Sequence, residues 1–160
     1  MKETLNVEKA KKFCEDTLMK LENKENAKFI ILHSKLVSEI ALILAEKKNV
    51  DKEILEIAGW IHDVGKIISD ENHAEHSIEI LDKHFELNET LRDCILNHGT
   101  NSSPKTEEGK IFRVADKVSM LHPELVRDLV NSSEERYKKD ISFIRKTSAK
   151  IPDLLDNFER

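Results

Sequence analysis

The stretch Ile61-His62-Asp63-Val64-Gly65-Lys66 puts an imidazole and a carboxylate on consecutive residues. On a helix such neighbours lie about 100° apart, so the two side chains can meet only on something lying beside the helix between them. A divalent metal answers that description, because imidazole and carboxylate are among its ordinary ligands. Alone the pair is a weak signal, since a surface aspartate beside a packed histidine explains it as well. Other residues follow the same logic. His33 lies on an apolar face four residues before Val37, His73 and His98 fall on the inward sides of two further helices, and Asp116 sits one turn after Phe112. Singly, each imidazole reads as a core histidine with a hydrogen-bond partner. A buried, unpaired Asp116 would be costly, because an ionised carboxylate in a core needs a cation or donors. Four imidazoles and two carboxylates on five helices are explained together by convergence on metal.

Those residues need elements to position them. The 160 residues include only 4 Gly and 3 Pro, with 39% apolar and 36% charged residues, which favours short-looped helices in one domain. The expected class is all-α. A first amphipathic helix spans 3–21, and a polar break at 23–26 precedes a long helix over about 27–48. Asp51 is suited to cap the next helix, with Val50 and Leu55 as a hydrophobic staple and Gly59 permitting a close neighbour. That helix is apolar on most sides until His62, Asp63 and Lys66, which assigns it to the middle of a bundle. Asn72, with Glu75 as capping-box partner, opens a helix from 73 to about 85. Asn88 caps another that reaches His98 and ends at Gly99. Pro104, after Ser103, opens the helix carrying Ile111, Phe112, Ala115 and Asp116. Pro123 opens a further segment, Ser132 and Glu135 read as the capping box of a last long helix, and Pro152 kinks or ends it.

Composition narrows the partners. A net charge of −5 gives no electrostatic footprint for nucleic acid or an anionic membrane surface. No apolar run approaches membrane-spanning length and the first residues lack a signal core, so a soluble, cytoplasmic protein is expected. Cys14 and Cys94 belong to no Cys-x-x-Cys pair and are expected as reduced, packed thiols.

The ordered set of His33, the pair His62-Asp63 inside Trp60-Ile61-His62-Asp63-Val64-Gly65-Lys66, and Asp116 inside Val114-Ala115-Asp116-Lys117-Val118 resembles the HD-domain metal-dependent phosphohydrolases, over about residues 27–121. The resemblance implies a single HD-type helical bundle over 1–160, with a metal-binding core at 27–121 and a helical extension at 122–160. It implies that His33, His62, Asp63 and Asp116 hold one divalent metal. Some members carry extra histidines and bind two. His73 looks like the first of these and His98, in Leu96-Asn97-His98-Gly99, like the second, with Asp63 bridging. His76 competes with His73; His84 and His122 read as a helix-flank and a pre-proline residue. Two features depart from the pattern. His98-Gly99 stands where some two-metal members have His-His, and residues 100–103 replace the Gly-Tyr-Pro of the cyclic-dinucleotide-degrading branch, so that substrate is not carried over.

One or two ions of Mn, Fe, Co, Ni, Zn or Mg held in this way would activate water and polarise a phosphoryl oxygen. Asp63 and Lys66 are the expected catalytic residues, Lys66 by neutralising a phosphate oxygen. Lys117 and Arg113 are weaker phosphate candidates that could equally face solvent. The expected activity is metal-dependent hydrolysis of a phosphomonoester or phosphodiester, of a nucleotide or related small molecule. The alternative is a metal-containing ligand-sensing or interaction module without turnover. Expected partners are the small phosphorylated substrate and, through the C-terminal helical region, a second copy of the chain; neither a membrane nor nucleic acid is expected.

Overall fold

The computed structural model describes residues 1–158, and among these nine α-helices carry the fold. They are α1 (Val7–Leu18), α2 (Lys24–Leu44), α3 (Lys52–Ile61), α4 (His73–Leu81), α5 (Glu89–Leu96), α6 (Glu107–Ser119), α7 (Pro123–Val130), α8 (Glu134–Ser148) and α9 (Ile151–Asp156). A 3₁₀ turn, Val64–Ile67, links α3 to α4. Two short strands, β1 (Glu3–Thr4) and β2 (Phe85–Glu86), pair in parallel with Glu3 opposite Phe85. The all-α expectation holds, and no helix among the described residues is long and apolar enough to cross a membrane.

Helix α3 is the axis of the core. Residues 57–61 are all buried, and α1, α2, α5 and α6 surround them with Leu18, Val37, Ile95 and Phe112. Gly59 makes the central crossing possible, because a Cβ there would lie 2.5 Å from the Cα of Ser38 on α2. The C-terminal helices attach differently. Leu36, Met120 and Leu125 form a small second core with Phe29, Leu32 and Ile144 beside it. Along α8 only Arg136 and Thr147 are buried. The Arg136 guanidinium is held by Asp128 at 3.0 Å, Asp140 at 3.2 Å and Glu25 at 3.4 Å, and lies 4.2 Å from the ring centre of Phe29. Helix α8 is therefore fixed largely by one buried cation.

Side-chain caps account for most helix starts. Asp51 accepts from Ile54 N–H, Asn88 from Leu91 N–H, and Pro123 occupies the first turn of α7, all as expected. Several boundaries move. Asn6 accepts from Lys9 N–H, so α1 begins at Val7 rather than residue 3 and frees Glu3–Thr4 for the strand pair. Asn23 caps α2, which runs Lys24–Leu44 instead of 27–48. Asn72 does not cap with its side chain; it takes the left-handed conformation (φ 55°), which Asn tolerates, and α4 ends at Leu81, not near 85. Gly99 is not a left-handed cap either, since α5 stops at Leu96. Ser133, not Ser132, accepts from Arg136 N–H, because the Ser132 hydroxyl donates to the Leu129 carbonyl that ends α7. Cys14 and Cys94 are buried and unpaired, and burial pushes the Cys14 thiol up to about 12.

A further shift is at Pro104, which does not open α6. Thr106 is the cap, accepting from Gly109 N–H at 2.9 Å, and the reason lies in α5. The buried Asp93 carboxylate accepts from Lys105 N–H at 3.0 Å, Thr106 N–H at 2.8 Å, the Thr106 hydroxyl at 2.6 Å and the Asn97 amide at 2.8 Å. Burial opposes ionisation there, but the Thr106, Lys105 and Asn97 donors outweigh it and hold the carboxyl below its ordinary value. A depressed folded pKa adds stability that is present above the unfolded value, about 4, and is lost as pH falls through the folded one. Asp93→Asn turns an amide towards these donors and should cost about 1–3 kcal/mol at pH 7. In urea titrations the deficit should shrink from pH 7 to pH 3; equal stabilities at pH 7 would refute the clamp.

Candidate metal centre

The site begins where α3 stops. His62 N–H still donates to the Ala58 carbonyl at 3.0 Å, but Asp63 leaves the helix (φ −104°, ψ 6°) and the chain tightens into the 3₁₀ turn. His62 and Asp63 are thus not neighbours on one continuous helix, as the motif alone implied. Ser77 on α4 stabilises the break: its hydroxyl donates to the His62 carbonyl at 2.6 Å and accepts from Gly65 N–H at 2.8 Å. Lys66 N–H turns to the Asp63 carbonyl at 3.0 Å. Gly65 has no room for a Cβ, which would collide with the His73 carbonyl oxygen and the Ser77 nitrogen. This contact lays α4 against the turn and carries His73 to Asp63.

Four imidazoles converge, and their neighbours determine where the protons lie. Nδ1 of His62 faces the Gly59 carbonyl at 3.0 Å, that of His73 the Asp70 carbonyl at 2.8 Å, and that of His98 the Ile95 carbonyl at 2.6 Å. A carbonyl only accepts, so each Nδ1 donates. His33 Nδ1 faces the Ser119 hydroxyl at 3.2 Å; that hydroxyl gives its proton to the Asp116 carbonyl at 2.7 Å and so accepts from the ring. In the neutral rings all four Nε2 atoms are therefore bare lone pairs. They nevertheless meet head on: His33 and His62 at 3.3 Å, His73 and His98 at 2.9 Å. Phe112, fully buried, packs its ring 5.3 Å from that of His62 and 6.5 Å from that of His98, which leaves them little freedom to turn away.

The carboxylates add negative charge to the same point. Asp116 Oδ1 is 3.0 Å from His33 Nε2 and 3.3 Å from His62 Nε2; Asp63 Oδ2 is 3.6 and 3.5 Å from them. Ligands about 2.1 Å from one centre stand about 3.0 Å apart in an octahedron and about 3.4 Å apart in a tetrahedron. His33, His62 and Asp116 fit that spacing, and Asp63 Oδ2 stands slightly wider from the two imidazoles. The other oxygen, Asp63 Oδ1, is 3.2 Å from His73 Nε2 and 3.8 Å from His98 Nε2, yet is buried without a hydrogen-bond donor, as expected when the nearest nitrogen offers a lone pair. Asp63 thus faces one group with each oxygen. His62, Asp63 and His98 also offer ligand atoms within 4.8 Å of one another, so the two groups are contiguous.

The electrostatics call for positive charge. Burial opposes ionisation of Asp63, but His62 in its protonated form and the Lys66 ammonium hold its carboxyl well below the usual range; Lys117, with hydrogen bonds from His33 and His62 when their Nε2 atoms carry protons, does the same for the buried Asp116. Burial pushes His33 down and His98 down to about 3, keeping both rings neutral. Burial also opposes a charged His62, yet Asp63 and Asp116 raise it above its ordinary value. Two lysines offset the two carboxylates, but neither faces the imidazole lone pairs. Lys66 Nζ is 2.9 Å from Asp63 Oδ2 and Lys117 Nζ 2.5 Å from Asp116 Oδ2. A divalent cation between the lone pairs meets the rest, and the residues present fit one.

All six ligand candidates come together, with Lys66 at their edge. All of them but the fully buried His62 line a cavity of about 280 Å³, whose apolar lining includes Phe29, Ile30 and Met120. His76 does not join them; it faces Glu79 at 3.4 Å on the outer side of α4. His84 packs against the rings of Phe13 and Phe85, and His122 caps α7. Arg113 is also elsewhere, donating to the Ser102 carbonyl. Lys117, which could have faced solvent, instead lines the cavity. Sequence reasoning missed Ser119, three residues after Asp116 and so one turn along the same helix, and the α8 residues Asp140 and Phe143, which also line the cavity.

The comparisons agree with this geometry. The family model for the HD domain matches residues 30–121. Ribonuclease Y of Alkaliphilus metalliredigens is 28% identical over 113 residues, covering 69% of this chain and 24% of the relative; that of Treponema pallidum is 31% identical over 112 residues, covering 67% and 22%. The chain spans less than a quarter of the length of these relatives. A crystal structure described as a predicted HD superfamily hydrolase, from an uncultured Thermotogales bacterium, superposes with a TM-score of 0.59 at 19% identity, covering 87% of this chain and 91% of the other. Fold, ordered His and Asp motif and family match coincide, and the chain belongs to the HD-domain family, which binds divalent metals.

Proposed function

We propose that this site hydrolyses a phosphate ester of a nucleotide or related small molecule. His33, His62, Asp63 and Asp116 would hold one divalent cation, and His73, His98 and the second oxygen of Asp63 another. The observation that carries the reading is the meeting of four Nε2 atoms, each on a ring whose Nδ1 is held by an acceptor, around the two oxygens of one buried aspartate. A divalent cation held there supplies a nucleophile from water near neutral pH and draws charge from a phosphoryl oxygen. The chain's own residues do the rest. The Nδ1 hydrogen bonds fix each ring's tautomer and orientation. Lys66 and Lys117 line the cavity and hold non-bridging phosphate oxygens as point charges. Phe29, Ile30 and Met120 keep part of the wall dry, which strengthens those charges.

The name of the relatives makes a phosphodiester in RNA the second reading. A net charge of −5 and a cavity of about 280 Å³ favour the small molecule. A panel of nucleotides, sugar phosphates and short RNA, each with Mn, Co, Ni or Mg, decides between them. Absence of turnover on every substrate by metal-replete protein would return the site to a ligand-sensing role.

Three variants probe the assignment. Asp63→Ala should abolish hydrolysis while circular dichroism stays helical, since Ala is a good helix former; turnover with full metal content would refute the mechanism. The double variant His73→Ala with His98→Ala should bind about one metal per chain against about two in the parent, and turn over at least tenfold more slowly. A parent that binds a single ion at saturation, together with a fully active double variant, would make the site mononuclear. Lys66→Ala should lower kcat/KM about tenfold without weakening metal binding, because it removes a cation 2.9 Å from a ligand oxygen. Lower metal affinity in that variant would show that Lys66 supports the site in another way.

A further inference from the structure

Building on the phosphohydrolase reading, we infer that α8 supplies the wall that selects a substrate bearing a planar base. Helix α8 lies outside the family match at residues 30–121 and reaches the cavity through Asp140 and Phe143. Three residues apart, these two share one helix face. Of the exposed large apolar side chains among the described residues, Phe143 alone lines this cavity, and its ring is 51% exposed. It packs against no other aromatic ring among the described residues, whereas Phe29 on the same cavity already carries the Arg136 guanidinium on its ring. Phe143 is thus the aromatic surface left open to a ligand.

Asp140 gives the wall its polarity. Its Oδ2 accepts from Arg136 Nε at 3.2 Å, and Arg136 is itself buried among acidic residues, so the carboxylate is held in place. A negative charge there turns a phosphate away and leaves it to Lys66 and Lys117, which line the same cavity from the 3₁₀ turn and α6. A ligand that satisfies both ends carries an anionic phosphate and an uncharged planar ring. A nucleoside monophosphate does; a simple sugar phosphate lacks the ring.

The test compares adenosine 5′-monophosphate with ribose 5-phosphate, using the full chain loaded with Mn. The parent should favour the nucleotide in kcat/KM by about tenfold or more, the size expected for one base stacked on one aromatic ring. Phe143→Ala should reduce that ratio about tenfold and Phe143→Tyr should keep it, with ribose 5-phosphate serving as the internal reference for folding and metal loading. A ratio unchanged in Phe143→Ala, or lost equally in Phe143→Tyr, overturns the assignment. If neither compound is hydrolysed, calorimetric titration with the same two compounds separates the questions. A preference for the nucleotide that disappears in Phe143→Ala supports the wall although hydrolysis fails, and the absence of any preference overturns it.

Discussion

An imidazole that donates from Nδ1 to a carbonyl presents a bare nitrogen on its far side, and three backbone carbonyls and one serine hydroxyl impose this on His62, His73, His98 and His33. The rest of the site follows from that constraint. Lone pairs at 2.9 and 3.3 Å repel, and the ionised Asp63 and Asp116 add to the repulsion. The rings cannot relax by flipping without losing their Nδ1 partners and leaving buried donors unsatisfied. Helix α3 must therefore hold a polar end inside an otherwise apolar core, and the packing of Leu55, Ile57 and Ile61 around it keeps that end in place.

The break after Ile61 is as important as the residues that follow it. A continued helix would have kept His62 and Asp63 about 100° apart and drawn the His62 carbonyl into its own ladder. Ser77 takes that carbonyl instead, and the same oxygen accepts the Gly65 N–H, so one hydroxyl joins α3, the 3₁₀ turn and α4. The two halves of the donor set are consequently coupled: a shift of α4 moves His73 and also loosens the turn that orients Asp63. Gly65 is the geometric condition for this arrangement, since the turn and α4 approach too closely for any Cβ.

What could be read from the chain divides along physical lines. The six ligand candidates could be singled out because their order along the chain matches a family motif and because buried charge demands a partner, and the structure brings them together. The caps at Asp51 and Asn88 were legible because they act within one turn of sequence. Pro104 misled because the amides of Lys105 and Thr106 go to Asp93, a partner a dozen residues away that no local rule anticipates. The direction of Lys117 depends on how α6 is rotated against α2, and that rotation is a property of packing, not of the residue itself. Asp140 and Phe143 carried no signal at all, since α8 is so polar that its apolar residues mark no continuous face.

Charge balance explains why such a site can exist before any ligand arrives and why it would favour an anion afterwards. Asp63 and Asp116 each hold a lysine ammonium, at 2.9 and 2.5 Å, so two buried negative charges meet two positive ones and the imidazoles complete the cluster. The isolated centre is close to neutral, which keeps the cost of burying four charges within what a bundle of this size can sustain. A divalent cation held by His33, His62, Asp63 and Asp116 would make the same centre positive in a low-dielectric pocket, although the chain as a whole carries −5. On the proposed reading, an anionic phosphoryl group facing the two ammonium groups would offset that charge.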